Sequence, residues 1–226
     1  MSSGILNAAP ATSPESIVES YETASQGQSE ALHGASMNVE IEASLPKLKK
    51  HGRLHALRRI SKLGRITYDA LHFEGDNTIK THVIAHYLQA EVQAQEEGAP
   101  SLAVTPANYK FKYKGAHDSG GRDVYVFHVT PRHKQVGFFK GEIWIDAETF
   151  LRVRESGRFV KTPSVFLKHI EFVREYDIQA GVAVPRQIRS TVETWLVGQA
   201  ELTVDFSNVA LAEVPRRASL VDVADQ

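Results

Sequence analysis

The chain contains no cysteine among its 226 residues. Disulfides, thiolate zinc sites and cysteine nucleophiles are therefore excluded together. Long apolar runs are missing as well, since no stretch approaches the roughly 18 consecutive apolar residues of a membrane-spanning helix. The opening MSSGILNAAPATSPES has neither the basic flank nor the apolar centre of a secretory signal, and the small residues from Asn7 to Thr12 suit a flexible leader over residues 1–12. An excess of one charge is also lacking. A formal net charge of -1 gives no global field that draws in nucleic acid, so polyanion binding requires a local patch. Catalytic signatures are absent too. There is no Gly-x-Ser-x-Gly elbow and no Gly-x-x-x-x-Gly-Lys loop, and the acid pair Asp146 and Glu148 belongs to a turn in which both are expected to stay solvated, without the shifted pKa of a general acid. The expectation is a protein that is not an enzyme and uses no cofactor.

What is present is an ordinary globular composition. With 42% hydrophobic and 23% charged residues, the chain can bury enough apolar surface to offset its ordering entropy, and its length fits one domain over residues 13–212 with a flexible tail over 213–226.

Ser13, Pro14 and Glu15 form a helix start: a hydroxyl cap, a proline whose missing N–H costs nothing at the first position, and an acid at the positive end of the dipole. Ile17, Tyr21 and Ala24 continue at helical spacing, and the helix is expected to end before Gly34. Met37, Val39, Ile41, Ala43 and Leu45 then alternate with polar residues, the period of a strand with one dry face. Two further strands are expected between Arg53 and Phe73. Ile79, Val83, Tyr87 and Leu88 return to helical spacing, in a helix that stops at Gly98 and Pro100.

The remainder reads as strand and turn. Strands are expected over 108–114, 124–129, 138–146, 151–156, 165–176, 184–197 and 200–206, joined by hairpin turns at Gly120-Gly121, at Asp146 to Thr149 and at Gly181. Consecutive strands with short turns form an antiparallel meander, because parallel strands need long crossovers. The fold class is α+β: a large curved antiparallel sheet, an incomplete barrel, with about two helices on its concave face. Strands 124–129 and 165–173 carry apolar side chains on both faces, so helices, a ligand or a partner must cover the second face.

The run Gly141-Glu142-Ile143-Trp144-Ile145-Asp146, followed by Thr149, Leu151 and Val153, resembles the strand, Asp-x-x-Thr turn, strand signature of the lipoprotein carrier superfamily typified by LolA and LolB. Gly181 to Pro185 and the alternation Glu201 to Phe206 are similar to the family's closing strands; the basic segment after Leu45 and the helix from Ile79 depart from its pattern. The resemblance covers most of residues 13 to 210. It implies a periplasmic, non-enzymatic, monomeric carrier of lipid or acylated lipoprotein cargo, with peripheral membrane contact and an envelope protein as a further partner. Burial of each methylene of such a cargo stabilises the complex by roughly 0.8 kcal/mol. The lining expected from it is Tyr109, Phe111, Tyr113, Ile143, Ile145, Phe166, Ile170 and Phe172, each of which is equally readable as ordinary core. The alternative function is an envelope module of the same fold that docks a protein through its sheet face or edge. A hydrolase ranks last, since it requires His128 or His169 to converge with acids in space.

The span from Lys47 to Arg65 holds eight cations and no acid. Lys47, Lys49, Lys50, Arg53, Arg58 and Arg59 read either as a patch for anionic lipid head groups or as a solvated face, and nucleic acid is disfavoured because no stacking aromatics are interleaved. His82 with His86, and His51 with His55, have the four-residue spacing of paired metal ligands but no third ligand beside them, so no metal is expected.

Overall fold

The structure, a computed structural model, describes residues 13–96, 102–162, 167–194 and 198–212. The expected leader and tail and the lining candidate Phe166 lie outside these residues. Helix α1 (Pro14–Ser25) starts as its sequence dictates, with the Ser13 hydroxyl accepting from the Ser16 amide. The helical segment ends before Gly34, as expected, and in two pieces. Gly27, at φ +74°, turns the chain into a second short helix, α2 (Gln28–Ala31), before the first strand.

Ten antiparallel strands follow in one open sheet of order β3-β2-β1-β10-β9-β8-β7-β6-β5-β4. They are β1 (Ser36–Leu45), β2 (Lys50–Ile60), β3 (Ile66–Gly75), β4 (Tyr109–Asp118), β5 (Asp123–Pro131), β6 (Phe139–Asp146), β7 (Arg152–Phe159), β8 (Leu167–Gln179), β9 (Val182–Thr194) and β10 (Gln199–Ala210). The chain meanders through β1 to β3, jumps to the far edge at β4, and returns hairpin by hairpin until β10 pairs with β1. The jump is spanned by one helical run: α3 (Asn77–Ile79), a π turn (Lys80–Ile84) and α4 (Ala85–Glu96). Its start is fixed by the Asp76 carboxylate, which accepts from the Thr78 amide at 2.7 Å. The π turn has a sequence cause. Ile79 and Ile84, both within 2% of complete burial, are five residues apart; in a regular α-helix that spacing would separate them by about 140°, and the wider turn returns both to one face.

The dry face of β1 is the expected one, with Met37, Val39, Ile41, Ala43 and Leu45 all buried. Two apolar clusters form on this inner face. One lies under the π turn and α4, joining β1, β2 and β10 to Ile79 and Ile84; the other lies under α1, joining Tyr109, Phe127, Val129, Ile143, Ile145 and Phe172 to Ile17 and Tyr21. Two facing glycine pairs allow close strand approach, Gly52 with Gly75 and Gly141 with Gly157. A Cβ on Gly141 would meet the Ser156 carbonyl oxygen at 1.9 Å, and one on Gly75 the His51 carbonyl oxygen at 2.6 Å, so no side chain fits where the strands approach.

The turns are as read, with one correction. Asp146 is only 5% exposed rather than solvated. Its Oδ1 accepts from both the Thr149 amide (2.8 Å) and the Thr149 hydroxyl (2.7 Å), and Arg122 lies 3.6 Å from Oδ2, so the turn needs the carboxylate folded inward.

Candidate functional site

Antiparallel partners share a face, so the pairing register can be followed across the sheet. One inner row reads Phe127, Ile143, Glu155, Arg174, Ile188, Val204, Ile41, Leu54, Phe73, from β5 to β3. It is apolar at both ends and ionic in the middle. The ionic members sit on β7 and β8, in the seam between the two apolar clusters.

Glu155 is 1% exposed. Arg152 approaches its Oε1 at 3.1 Å, Arg174 its Oε2 at 3.5 Å, and the Tyr176 hydroxyl donates to Oε2 at 3.0 Å. Burial alone would raise the carboxyl pKa, but the two guanidinium groups and the hydrogen bonds from Tyr176 and Arg152 hold it below the ordinary carboxylate range. Burial, partly opposed by Arg152, pushes the Tyr176 phenol up to about 12. The cations are held by rings: Arg174 lies 4.5 Å above Phe172 and Arg152 4.8 Å above Tyr176. Over a third of each arginine side chain stays exposed, 38% for Arg152 and 36% for Arg174, so neither cation is sealed from solvent. Tyr21 of α1 is buried at this seam, its phenol raised by desolvation.

A second ionic node holds the other helix. Arg58 projects inward from β2 and donates to Glu91 of α4 from Nε at 3.1 Å and Nη2 at 2.8 Å, while Tyr68 of β3 donates to the other oxygen of the same carboxylate. Burial, reinforced by Glu91, raises the phenols of Tyr68 and Tyr87.

Between the clusters, the apolar residues on the inner side of β8 and β9 are less enclosed. Ile170, Ile188 and Val192 are half-buried, whereas Met37, Ile41, Ile143 and Ile145 are fully buried. These residues form a half-buried apolar strip over β8–β9, a candidate groove floor, with Ile188 and Val192 at the margin of the cluster under α4 and Arg174 and Tyr176 along it. Of the expected lining, Ile170 lies on this strip, and Phe172, which is buried, packs at its edge in the cluster under α1. Tyr109, Ile143 and Ile145 lie under α1, Phe111 is half-buried beside them, and Tyr113 reaches the open edge of β4 at 36% exposure. A separate cleft of about 590 Å³ opens at the ends of β1–β3 and β10, but Glu42, His51, Arg53, Glu74 and Glu201 line it, which does not suit an acyl chain.

The six expected patch cations are not brought together. Lys47 and Lys49 are exposed at the β1–β2 turn, Lys50 pairs with Asp76, Arg53 with Glu40 and Glu42, Arg59 with Asp69, and Arg58 is turned to the inner face. His82 and His86 are exposed with ring centres 6.3 Å apart, and among the described residues no group of three ligating side chains forms a metal site.

Glu155, Arg174 and Glu91 were not singled out by sequence reasoning. A signal existed for two of them. Glu155 falls on the same strand parity as Val153, Gly157 and Phe159, and Arg174 on that of Ile170, Phe172 and Tyr176, so each is a charge on a dry face.

No family model matches the chain, and no curated protein matches it. Solved structures resemble it in fold. A LolA-superfamily protein of Nitrosomonas europaea is 14% identical, with 91% of this chain and 96% of that one covered at a TM-score of 0.41. A DUF1329-family protein of Desulfovibrio piger is also 14% identical, with coverage of 86% and 92% and a TM-score of 0.45. A putative outer-membrane lipoprotein-sorting protein domain of Vibrio parahaemolyticus shares 14% identity, 86% and 90% coverage and a TM-score of 0.42. The complex of MucA and MucB of Pseudomonas aeruginosa gives 12% identity, 87% and 100% coverage and a TM-score of 0.30. At these identities the likeness is one of fold, an open antiparallel sheet with helices against it.

Proposed function

We propose that this protein is a non-enzymatic binder or carrier of lipidated or apolar ligands in the bacterial cell envelope. The observation that carries the reading is the half-buried apolar strip Ile170, Ile188 and Val192 on an inner face that is otherwise closed by helices. An acyl chain laid over this strip buries it, and the part-exposed side chains of Arg174 and Arg152 meet a carboxylate or phosphate at the head of the chain. The seam supports recognition rather than catalysis: Glu155 is pinned as an anion by its two arginines, and no nucleophile is placed against it among the described residues.

Docking of a protein partner through a sheet edge is the second reading, supported by the two unpaired edge strands β3 and β4. Both edges are blunted. β4 projects Lys110, Lys112 and Lys114 and bulges at Gly115, and β3 breaks register near Ala70, at φ +50°. Edges so equipped resist strand addition, which favours the groove.

The test is titration with a fluorescent fatty acid. Ile188→Asp, at a half-buried site, is expected to abolish binding while the thermal transition moves little. Unchanged binding by a folded Ile188→Asp protein defeats the proposal.

A further inference from the structure

The outer face of the sheet divides into two electrostatic halves. On β2 and β9 the cations are matched: Arg53 to Glu40 and Glu42, Arg59 to Asp69, and Arg189 to Glu175. On β4 to β7 they are not. Lys110, Lys112 and Lys114 stand on the outer face of β4, opposite in parity to Tyr109, Phe111 and Tyr113, and all are exposed with no ion pair among the described residues. Lys140 of β6 and Arg158 of β7 are direct cross-strand partners, exposed and likewise unpaired. Two like charges directly opposite destabilise a sheet, so the Lys140–Arg158 pairing has a local cost. Among the described residues on this face, Glu171 opposite Arg158 and Glu142 opposite His128 form no ion pair with these cations, and Asp146 is taken by Arg122 and Thr149.

The same surface continues at one end of the strands. Lys134 in the β5–β6 connection and Lys161 after β7 are exposed and unpaired, and Val136 beside Lys134 is 39% exposed. The result is a broad cationic surface on a chain whose net charge is only -1.

We propose that the outer face of β4–β7 docks this protein on an anionic lipid surface. The chemistry selects that partner. Most of the cations are lysines, compact point charges on flexible stems that suit a laterally diffuse field of head groups rather than bidentate recognition of one ligand. Trp144, on this face, is covered by Arg154 at 4.8 Å and so offers no open stacking platform for a nucleobase. The surface lies on the opposite side of the sheet from the groove, so docking leaves the groove free. Membrane docking deepens the proposed carrier role but stands without it.

The test is flotation of the full chain with phosphatidylcholine vesicles, with and without phosphatidylglycerol. Binding is expected only with phosphatidylglycerol, and is expected to be lost between about 0.1 M and about 0.5 M salt as the charges are screened. The triple variant K110Q/K112Q/K114Q is expected to partition roughly a hundredfold less, and K140Q/R158Q, on a different pair of strands, roughly twentyfold less. R53Q/R59Q, on the same face but away from the patch, is expected to bind like the parent. Equal binding to phosphatidylcholine alone, parental binding by both patch variants, or equal loss in R53Q/R59Q overturns the proposal, as does binding of a DNA oligonucleotide without binding of anionic vesicles. Loss of fatty-acid binding by these variants would count against the separateness of the two sites; loss of vesicle binding with fatty-acid binding kept is the expected pattern.

Discussion

Glu155→Gln removes the charge at the centre of the seam while keeping the side chain's shape. The carboxylate accepts from Arg152 at 3.1 Å and Tyr176 at 3.0 Å and lies 3.5 Å from Arg174. Hydrogen bonds to a charged group contribute about 1.5–3 kcal/mol each, and breaking a wholly buried ion pair costs about 3–5 kcal/mol. Both arginines are more than a third exposed and regain water when their partner is neutralised, so the lower end applies, about 3 kcal/mol. For a chain of this length that corresponds to a fall in Tm of roughly 6–12 °C. The pH dependence separates charge from packing. The folded carboxyl titrates below its ordinary value, so its contribution is complete above the unfolded pKa near 4.3 and is lost as pH falls through the depressed folded value. Thermal melts of parent and variant followed by circular dichroism are expected to differ most at neutral pH and to converge in acid. A Tm difference below about 3 °C, or one that stays constant with pH, would refute the argument.

Other outcomes follow from the same geometry. Gly141→Ala, whose Cβ would lie 1.9 Å from a carbonyl oxygen, is expected to cost more than about 3 kcal/mol, whereas Gly120→Ala, with open space but φ +67°, costs roughly 1 kcal/mol; chemical denaturation measures both. Ile143→Asp, at a site with no exposure, is expected to prevent folding outright, in contrast to Ile188→Asp, and expression with circular dichroism distinguishes them. Tyr176 holds its proton up to about 12 in the folded state, so it stabilises fully below the unfolded tyrosine value near 10 and loses that contribution as pH rises through 12. Tyr176→Phe is therefore expected to flatten the alkaline limb of the stability profile. Glu91→Gln is expected to loosen α4 from β2 and β3, read as faster amide exchange in residues 85–92 with α1 unaffected.

The sheet was legible because its signals are local. Met37 to Leu45 alternates without interruption, the Asp146 to Thr149 turn carries its own capping side chains, and the β4–β5 and β8–β9 hairpins are marked by Gly120, Gly121 and Gly181. The helical run was legible as a helix but not as a π turn, since the five-residue spacing of Ile79 and Ile84 acquires meaning only against the sheet beneath it. The basic run from Lys47, read either as a head-group patch or as a solvated face, is divided by the strand period. Successive residues of a strand point to opposite faces, so Arg53 and Arg59 turn outward and Arg58 inward although they cluster in sequence. The patch that does form draws on β4, β6 and β7, which only the pairing register brings side by side.

The ionic seam bears on how the groove is kept open. An inner face closed by two apolar clusters gains by merging them, because burial is non-directional and every added contact is favourable. Glu155 and Arg174 stand where the clusters would meet, and a further apolar side chain drawn over them would strip water from the part-exposed Arg174. Replacing Glu155 and Arg174 together with Leu tests this. Swaps of a buried pair for apolar groups are often neutral or stabilising, so the double variant is expected to fold at least as well as Glu155→Gln. It is also expected to bind fatty acid less, as α1 settles toward β8 and covers Ile170 and Ile188. A double variant with full binding would show that these two charges neither hold the head group nor keep the helices apart.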